Sequence, residues 1–299
     1  MVGFVILHYM AYEMTVKCVE NLLSQNFTSI LSPDDKEQIQ VVVVDNASPN
    51  GSGQRLLERY SDCENVHVIL NDENLGFACG NNIGFDYLKR NYNLDYMIVM
   101  NEDVLIQDPM FLAKAHGIFG NKHFAVLGPD INAVKIGKHQ NPCYLKGNTK
   151  EDVVKIKNRL QMQLSHFIVY YYSNFFISKI KAFVKFILKR IKRQPLPLDW
   201  RKEYVNPVLH GSCYVFSKDF INARDYAFYP GTFLYFEEDI LHLQCMRQGL
   251  KMLYTPELCV THFQNVSTDM VFKKNIKKMK MKHEQLIKSM DCFIKLCDE

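Results

Sequence analysis

Apolar positions along this chain follow two rhythms that alternate from the N-terminus onward. Phe4–Tyr9 is a short continuous apolar run of strand length, and Val16, Val19, Leu22 and Leu23 then recur at helical spacing. Val41–Val44 is continuous and β-branched, as suits a central parallel strand covered on both faces. Ala47–Gly53 has turn chemistry and leads into a short helix through Leu57. Val66–Leu70 predicts a third strand, Gly76–Lys89 a helix entered through a glycine-containing loop, and Tyr96–Met100 a fourth strand. Such alternation predicts an α/β fold with a mostly parallel, doubly wound sheet and function at the carboxyl ends of its strands.

The rhythm breaks after about Gly147. Glu151–Arg193 is rich in Lys, Tyr, Phe and Ile, and Gln194-Pro195-Leu196-Pro197 punctuates its end. Sheet-like signals resume at Val208–Ser217. A helix is expected from Glu237 to Arg247, stopped by Gly249, and short strands at Met252–Tyr254 and Cys259–His262. Met270–Leu296 reads as a basic helical tail. The pattern divides the chain into 1–147, an insert at 148–205, a returning segment at 206–268 and a C-terminal helix at 269–299.

Composition narrows the class. The 299 residues are 47% hydrophobic and 23% charged, ordinary for a globular protein, and a net charge of +4 gives no reason to expect nucleic acid as a partner. Nine cysteines without a Cys-x-x-Cys pair suit free thiols in a reducing compartment. The first apolar run lacks the marks of a signal peptide and is too short to span a bilayer. Within Gln163–Arg193, Ile180, Phe183, Val184, Ile187, Leu188 and Ile191 fall at helical spacing opposite Lys185, Lys189 and Arg190. That segment predicts an interfacial helix on an anionic membrane surface, weighed against a helix packed on the protein's own core.

Five polar constellations end predicted strands or start predicted helices. Asp45 tips the second strand, where it suits a ribose or base contact but equally an Asx-turn. Asn71–Gly84 combines Asn and Gly ahead of a helix and has neither the G-x-G-x-x-G pattern nor the P-loop lysine. Asn101-Glu102-Asp103 follows the fourth strand and offers hard oxygen ligands to Mg²⁺ or Mn²⁺. Glu237-Glu238-Asp239 clusters three carboxylates at a helix start, where the dipole favours them and a base could also sit. His262 ends an apolar strand and is either a metal neighbour or a structural histidine.

In this order, the motifs VVVVDNASPNGS, NDENLGFACGNNIGF, MNEDV, YFEEDILHLQCMRQG and PELCVTH resemble the family 2 glycosyltransferases of GT-A fold, particularly bacterial rhamnosyltransferase-like enzymes of capsule, O-antigen or cell-wall synthesis. The resemblance covers about Gly3–Asp130 and Leu209–Ser267. It implies an inverting transfer from a dTDP- or UDP-sugar to a glycan or lipid-linked acceptor, at the inner face of the cytoplasmic membrane. It further implies nucleotide contact by Asp45 and a donor pocket lined by Asn74, Gly76 and Asn82, with His8, Tyr9, Asn101 and Glu102 in the same donor-binding set. Asp103 and His262 are implied at the metal. The catalytic base is implied in the acidic triplet; gap-free alignment puts Glu238 at that position, and Asp239 lies beside it. Asn-Glu-Asp replaces the usual Asn-Pro-Asp or Asp-x-Asp. Other readings are a sugar-phosphate nucleotidyltransferase, for which Val2–Tyr12 lacks a glycine-rich basic loop, and an inactive glycan-binding module.

Overall fold

The structure, a computed structural model, describes residues 1–25, 39–167, 198–264 and 275–299. Its centre is one mixed, mostly parallel sheet. The β-branched and apolar runs form β1 (Val2–His8), β2 (Ile39–Asp45), β3 (Val66–Leu70) and β4 (Tyr96–Asn101). These pair in parallel in the order β3-β2-β1-β4, with Val2 against Ile39 on one side and Tyr96 on the other. The shared register brings His8, Asp45 and Asn101 to the same edge of the sheet.

Beyond β4 the sheet continues through strands distant in sequence. β9 (Cys213–Ser217) runs antiparallel to β4 and to β6 (Val126–Ala133), and β6 pairs in parallel with β10 (Met252–His262). Short β5 (Val104–Leu105) and β8 (Tyr204–Val205) border β10, and β7 (Lys138–His139) borders β6. The two expected strands at 252–254 and 259–262 are one strand whose register shifts between Thr255 and Cys259, around Pro256, which has no N–H to donate to a ladder.

Helices cover both faces. α1 (Tyr12–Ser24), α2 (Ser52–Arg59) and α4 (Phe111–Lys122) bury one apolar cluster with Phe4, Ile6, Val41 and Ile98. α3 (Gly76–Asn91) buries the other with Val5, Val42, Val44 and Tyr214. Gly80 and Gly84, one turn apart, let α3 lie close on the sheet: a Cβ at either would come within 2.5 Å of Leu7 or Val5. The remaining described helices are α5 (Lys150–Ser165), α6 (Lys218–Ala223), α7 (Glu237–Arg247) and α8 (Asn275–Asp298).

α5 begins in a capping box between Thr149 and Asp152. It packs with α7 and α8 around Val153, Ile240, Met290, Phe293 and Leu296. Lys150–Asp298 and Lys157–Asp291 ion pairs border this smaller core. Most of the basic aromatic segment expected at the membrane, residues 168–193, lies outside the described residues. No helix among the described residues is long and apolar enough to cross a membrane.

Candidate active site

A cavity of about 570 Å³ opens at the carboxyl edge of the sheet. β1 and β4 bring Tyr9 and Asn101 to its wall, and the turn after β4 brings Asp103. Asp103 and His262 face each other across the β5–β10 pairing, with Asp103 Oδ1 3.2 Å from His262 Nε2. Both side chains are almost fully buried. Two ligands each about 2.1 Å from one octahedral cation and at right angles lie ~3 Å apart, so this spacing fits a shared divalent ion. Among the described residues no group of three or more His, Cys, Asp or Glu side chains gathers as a metal centre. The rest of the coordination shell would be substrate and water oxygens. Gln264, also on the cavity wall and held at φ 66°, has a buried Oε1 without a hydrogen-bond partner among the described residues.

His262 is the first residue of a line of polar contacts. Its Nδ1 lies 2.7 Å from Gln140 Oε1, and Gln140 Nε2 lies 3.1 Å from His210 Nε2. His210 Nδ1 meets Ser212 Oγ at 3.1 Å and accepts from Ser212 N at 3.2 Å. Burial, reinforced by the neighbouring His262, lowers the His210 pKa to about 4.

The acidic triplet starts α7, and its three carboxylates diverge. Glu238 lines the cavity, where Gly211 N–H donates to its Oε1 at 3.3 Å. A Cβ at Gly211 would lie 2.8 Å from that oxygen, so the glycine leaves the carboxylate its place. Burial raises the Glu238 pKa, against the opposing pull of backbone N–H groups including that of Gly211. Asp239 is not part of the cavity wall; Asn148 Nδ2 donates to its Oδ1 at 2.6 Å. Its pKa rises to about 7 through burial, partly countered by Asn148. Glu237 is buried, with Oε1 unpartnered among the described residues, and burial followed by the charge of Glu238 lifts it to about 8. The preceding Tyr235 and Phe236 hold φ angles of 71° and 75°, a left-handed conformation that costs ~1–3 kcal/mol per non-glycine residue and clusters at functional sites.

The other expected donor contacts divide. Tyr9, Asn74, Gly76, Asn101 and Glu102 border the cavity. The Glu102 carboxylate, however, turns inward and accepts from Thr15 Oγ1 at 2.5 Å, with His8 Nδ1 2.7 Å away. Three further expected contacts do not line the cavity. His8 is fully buried beneath the cavity between Glu102, Thr15 and Ser52, because an imidazole on an interior strand must find partners there. Asp45 accepts from Ser48 N and Ser48 Oγ, the Asx-turn alternative, and is absent from the wall. Asn82 clamps the backbone of Phe228 through both amide atoms, at 2.7 and 2.9 Å, and ties α3 to the loop before α7.

Sequence reasoning missed several wall residues. Asn46 donates to Asn74 Oδ1 and Gly76 O and accepts from Leu75 N, which shapes the start of α3. Its adjacency to Asp45 was the available signal. Gln140, His210, Phe233, Met281 and Gln285 carried no motif. Met281 and Gln285 come from α8, which reads in sequence only as a basic tail.

The sequence profile described as Glycosyl transferase family 2 matches residues 4–191, more than half of the chain. The chain belongs to glycosyl transferase family 2. A comparison with curated proteins finds no match. Solved structures share the GT-A-type fold of this family 2 member. S. aureus TarS 1-349 superposes with a TM-score of 0.52 at 12% identity, covering 97% of this chain and 70% of that chain. The same protein in complex with UDP gives 0.53 at 12% identity, covering 96% and 64%. GalNAc-T7 with UDP, GalNAc and Mn²⁺ gives 0.56 at 13% identity, covering 92% of this chain and 48% of that chain.

Proposed function

We propose that this family 2 glycosyltransferase moves a sugar, rhamnose being one candidate, from a dTDP- or UDP-sugar to a growing cell-surface polysaccharide. The acceptor is a glycan or lipid-linked oligosaccharide, reached from the inner face of the cytoplasmic membrane. The observation that carries this reading is one cavity holding the Asp103–His262 pair and the carboxylate of Glu238. UDP in the TarS complex and UDP with Mn²⁺ in GalNAc-T7 support the donor and cation classes.

Asp103 and His262 are the residues to hold Mg²⁺ or Mn²⁺. When bound, the ion stabilises charge on the departing diphosphate. Asn74 and Gly76 place the start of α3 on the cavity, where a helix N-terminus favours phosphate. Glu238 takes the proton of the acceptor hydroxyl as that oxygen attacks the anomeric carbon. Its raised pKa makes it a stronger base than an exposed carboxylate. A single in-line displacement inverts the anomeric centre and needs no protein nucleophile. Asp239, turned toward Asn148, serves the local structure.

The deciding experiment screens nucleotide-sugars by thermal shift with Mn²⁺ or EDTA, then assays transfer and donor hydrolysis. A selective, cation-dependent rise in melting temperature is expected for one dTDP- or UDP-sugar. Asp103→Asn should remove turnover and the cation dependence while keeping the melting temperature of the free protein. Full turnover of that variant in EDTA overturns the metal assignment.

A further inference from the structure

The line His262–Gln140–His210–Ser212 contains only groups that can reverse their hydrogen-bonding role. A neutral imidazole donates at one nitrogen and accepts at the other, a primary amide does both at its two ends, and a hydroxyl does either. The side chains of the line can therefore run in two opposite polarities, of which only the one with a bare His210 Nδ1 also satisfies the backbone N–H of Ser212. Contacts at its two ends favour different ones.

At the outer end, Gln140 presents Oε1 to His262 Nδ1 at 2.7 Å, which asks for Nδ1–H and a bare Nε2. Bare Nε2 lies 3.2 Å from Asp103 Oδ1, so a nitrogen lone pair faces a carboxylate oxygen. That juxtaposition is repulsive unless a cation sits between them. At the inner end, Ser212 N–H, a donor that cannot reverse, points at His210 Nδ1 at 3.2 Å. A lone pair at Nδ1 places the His210 proton on Nε2, facing Gln140. The amide must then offer oxygen to His210 and its NH₂ to His262, which puts the His262 proton on Nε2 as a donor to Asp103. Backbone contacts hold the line: His210 N donates to Asn141 Oδ1 at 3.0 Å, and Asn141 Nδ2 donates to Pro129 O at 2.8 Å.

We infer that Gln140 and His210 form a reversible relay that sets the His262 tautomer, and that its polarity follows occupation of the Asp103–His262 gap. Without a cation, Ser212 N–H drives the line outward: Gln140 turns its amide over from the orientation seen in this structure, and His262 Nε2–H donates to Asp103. With a divalent cation, His262 offers its Nε2 lone pair, Gln140 keeps Oε1 on His262 and Nε2 toward His210 as seen here, and His210 carries its proton on Nδ1, toward Ser212 Oγ. Each imidazole keeps one proton throughout, exchanged with water in the cavity. Gln140 is a positioning residue for the cation ligand. The inference rests on the cation site proposed above.

The test measures Mn²⁺ binding to the full chain by electron paramagnetic resonance of the free ion, for wild type, Gln140→Leu and Gln140→Glu. Leucine cannot orient His262, and loss of such a partner should weaken Mn²⁺ binding ~10–100-fold. Glutamate accepts from both imidazoles without reversing His210 and should bind Mn²⁺ more tightly than wild type. A role confined to packing predicts no such opposed pair, and weakening by both variants, or no change in either, overturns the relay. The second readout is ¹⁵N-histidine resonance of wild type with and without Mg²⁺. His262 and His210 are both expected to switch from Nε2–H to Nδ1–H. Cation binding with no switch, or with His262 switching alone, sinks the relay and leaves the cation site standing. Failure of wild type to bind either ion overturns both.

Discussion

Glu238 and Asp239 are adjacent in sequence and point into different surroundings, so their amides should separate by phenotype. Glu238→Gln is expected to lower kcat ~10²–10⁴-fold with KM for the donor little changed, because loss of a general base acts on the chemical step. Asp239→Asn should stay within ~10-fold of wild type. In wild type the acidic limb of the pH–rate profile should lie above the ordinary carboxylate range, since Glu238 acts deprotonated and burial raises its pKa. Glu237 offers a stability measurement. Its pKa rises from 4.5 to about 8 on folding, so the native state holds its proton longer than the unfolded state. The stability it contributes is fully present below about pH 4.5 and is lost as pH rises toward about 8. Glu237→Gln should flatten that decline, and melting curves at pH 5 and 8 check it, with the variant gaining relative to wild type at the higher pH. Individual roles were partly legible in sequence. Asp103, His262 and Glu238 announced themselves as strand-end or helix-start polar residues, and they share one cavity. Asp45 and His8 met the same criterion and lie outside the cavity wall. A buried polar group must satisfy its own hydrogen bonds, and which neighbour does so is a tertiary fact.

At the level of elements, the start of α3 is fixed by one backbone contact. Gly76 holds φ 77°, and a Cβ there would lie 2.2 Å from Phe233 O, the oxygen that accepts from Phe77 N at 2.7 Å. Gly76→Ala should therefore destabilise the protein by ~2 kcal/mol or more and weaken donor binding, because both the left-handed conformation and the close approach are lost. Thermal melting and donor titration measure the two effects. The parallel half of the sheet was readable because Val41–Val44 and Tyr96–Met100 are buried on both faces and need no partner pattern to be recognised. β6 and β9 were harder. β6 was not anticipated, since Val126–Ala133 carries Gly128, Pro129 and Asp130 inside it, and β9 gives no sign that it crosses to lie between β4 and β6. The glycines at 80 and 84 serve the close contact of α3 with Leu7 and Val5.

The whole molecule joins its acidic helix to the C-terminal one. Phe293 of α8 is almost fully buried beside Ile240 and stands 5.5 Å, ring to ring, from Phe236, the residue that precedes Glu237. Phe293→Ala should cost ~3–5 kcal/mol of stability and lower kcat beyond what the unfolded fraction explains, because the left-handed turn ahead of Glu238 loses its support. Denaturation and assay of the same sample separate the two. The α5–α7–α8 cluster was invisible in sequence, where α8 is only a run of lysines and apolar residues with no stated partner. The position of β9 also bears on assembly. β4 and β6 emerge from the ribosome long before Cys213–Ser217, and until that strand arrives each presents an open ladder of N–H and C=O groups to the cell. Nascent chains stalled between residues 133 and 213 thus leave β4 open toward β9 and β6 open toward both β9 and β10, and such chains are expected to pair edge to edge with other copies.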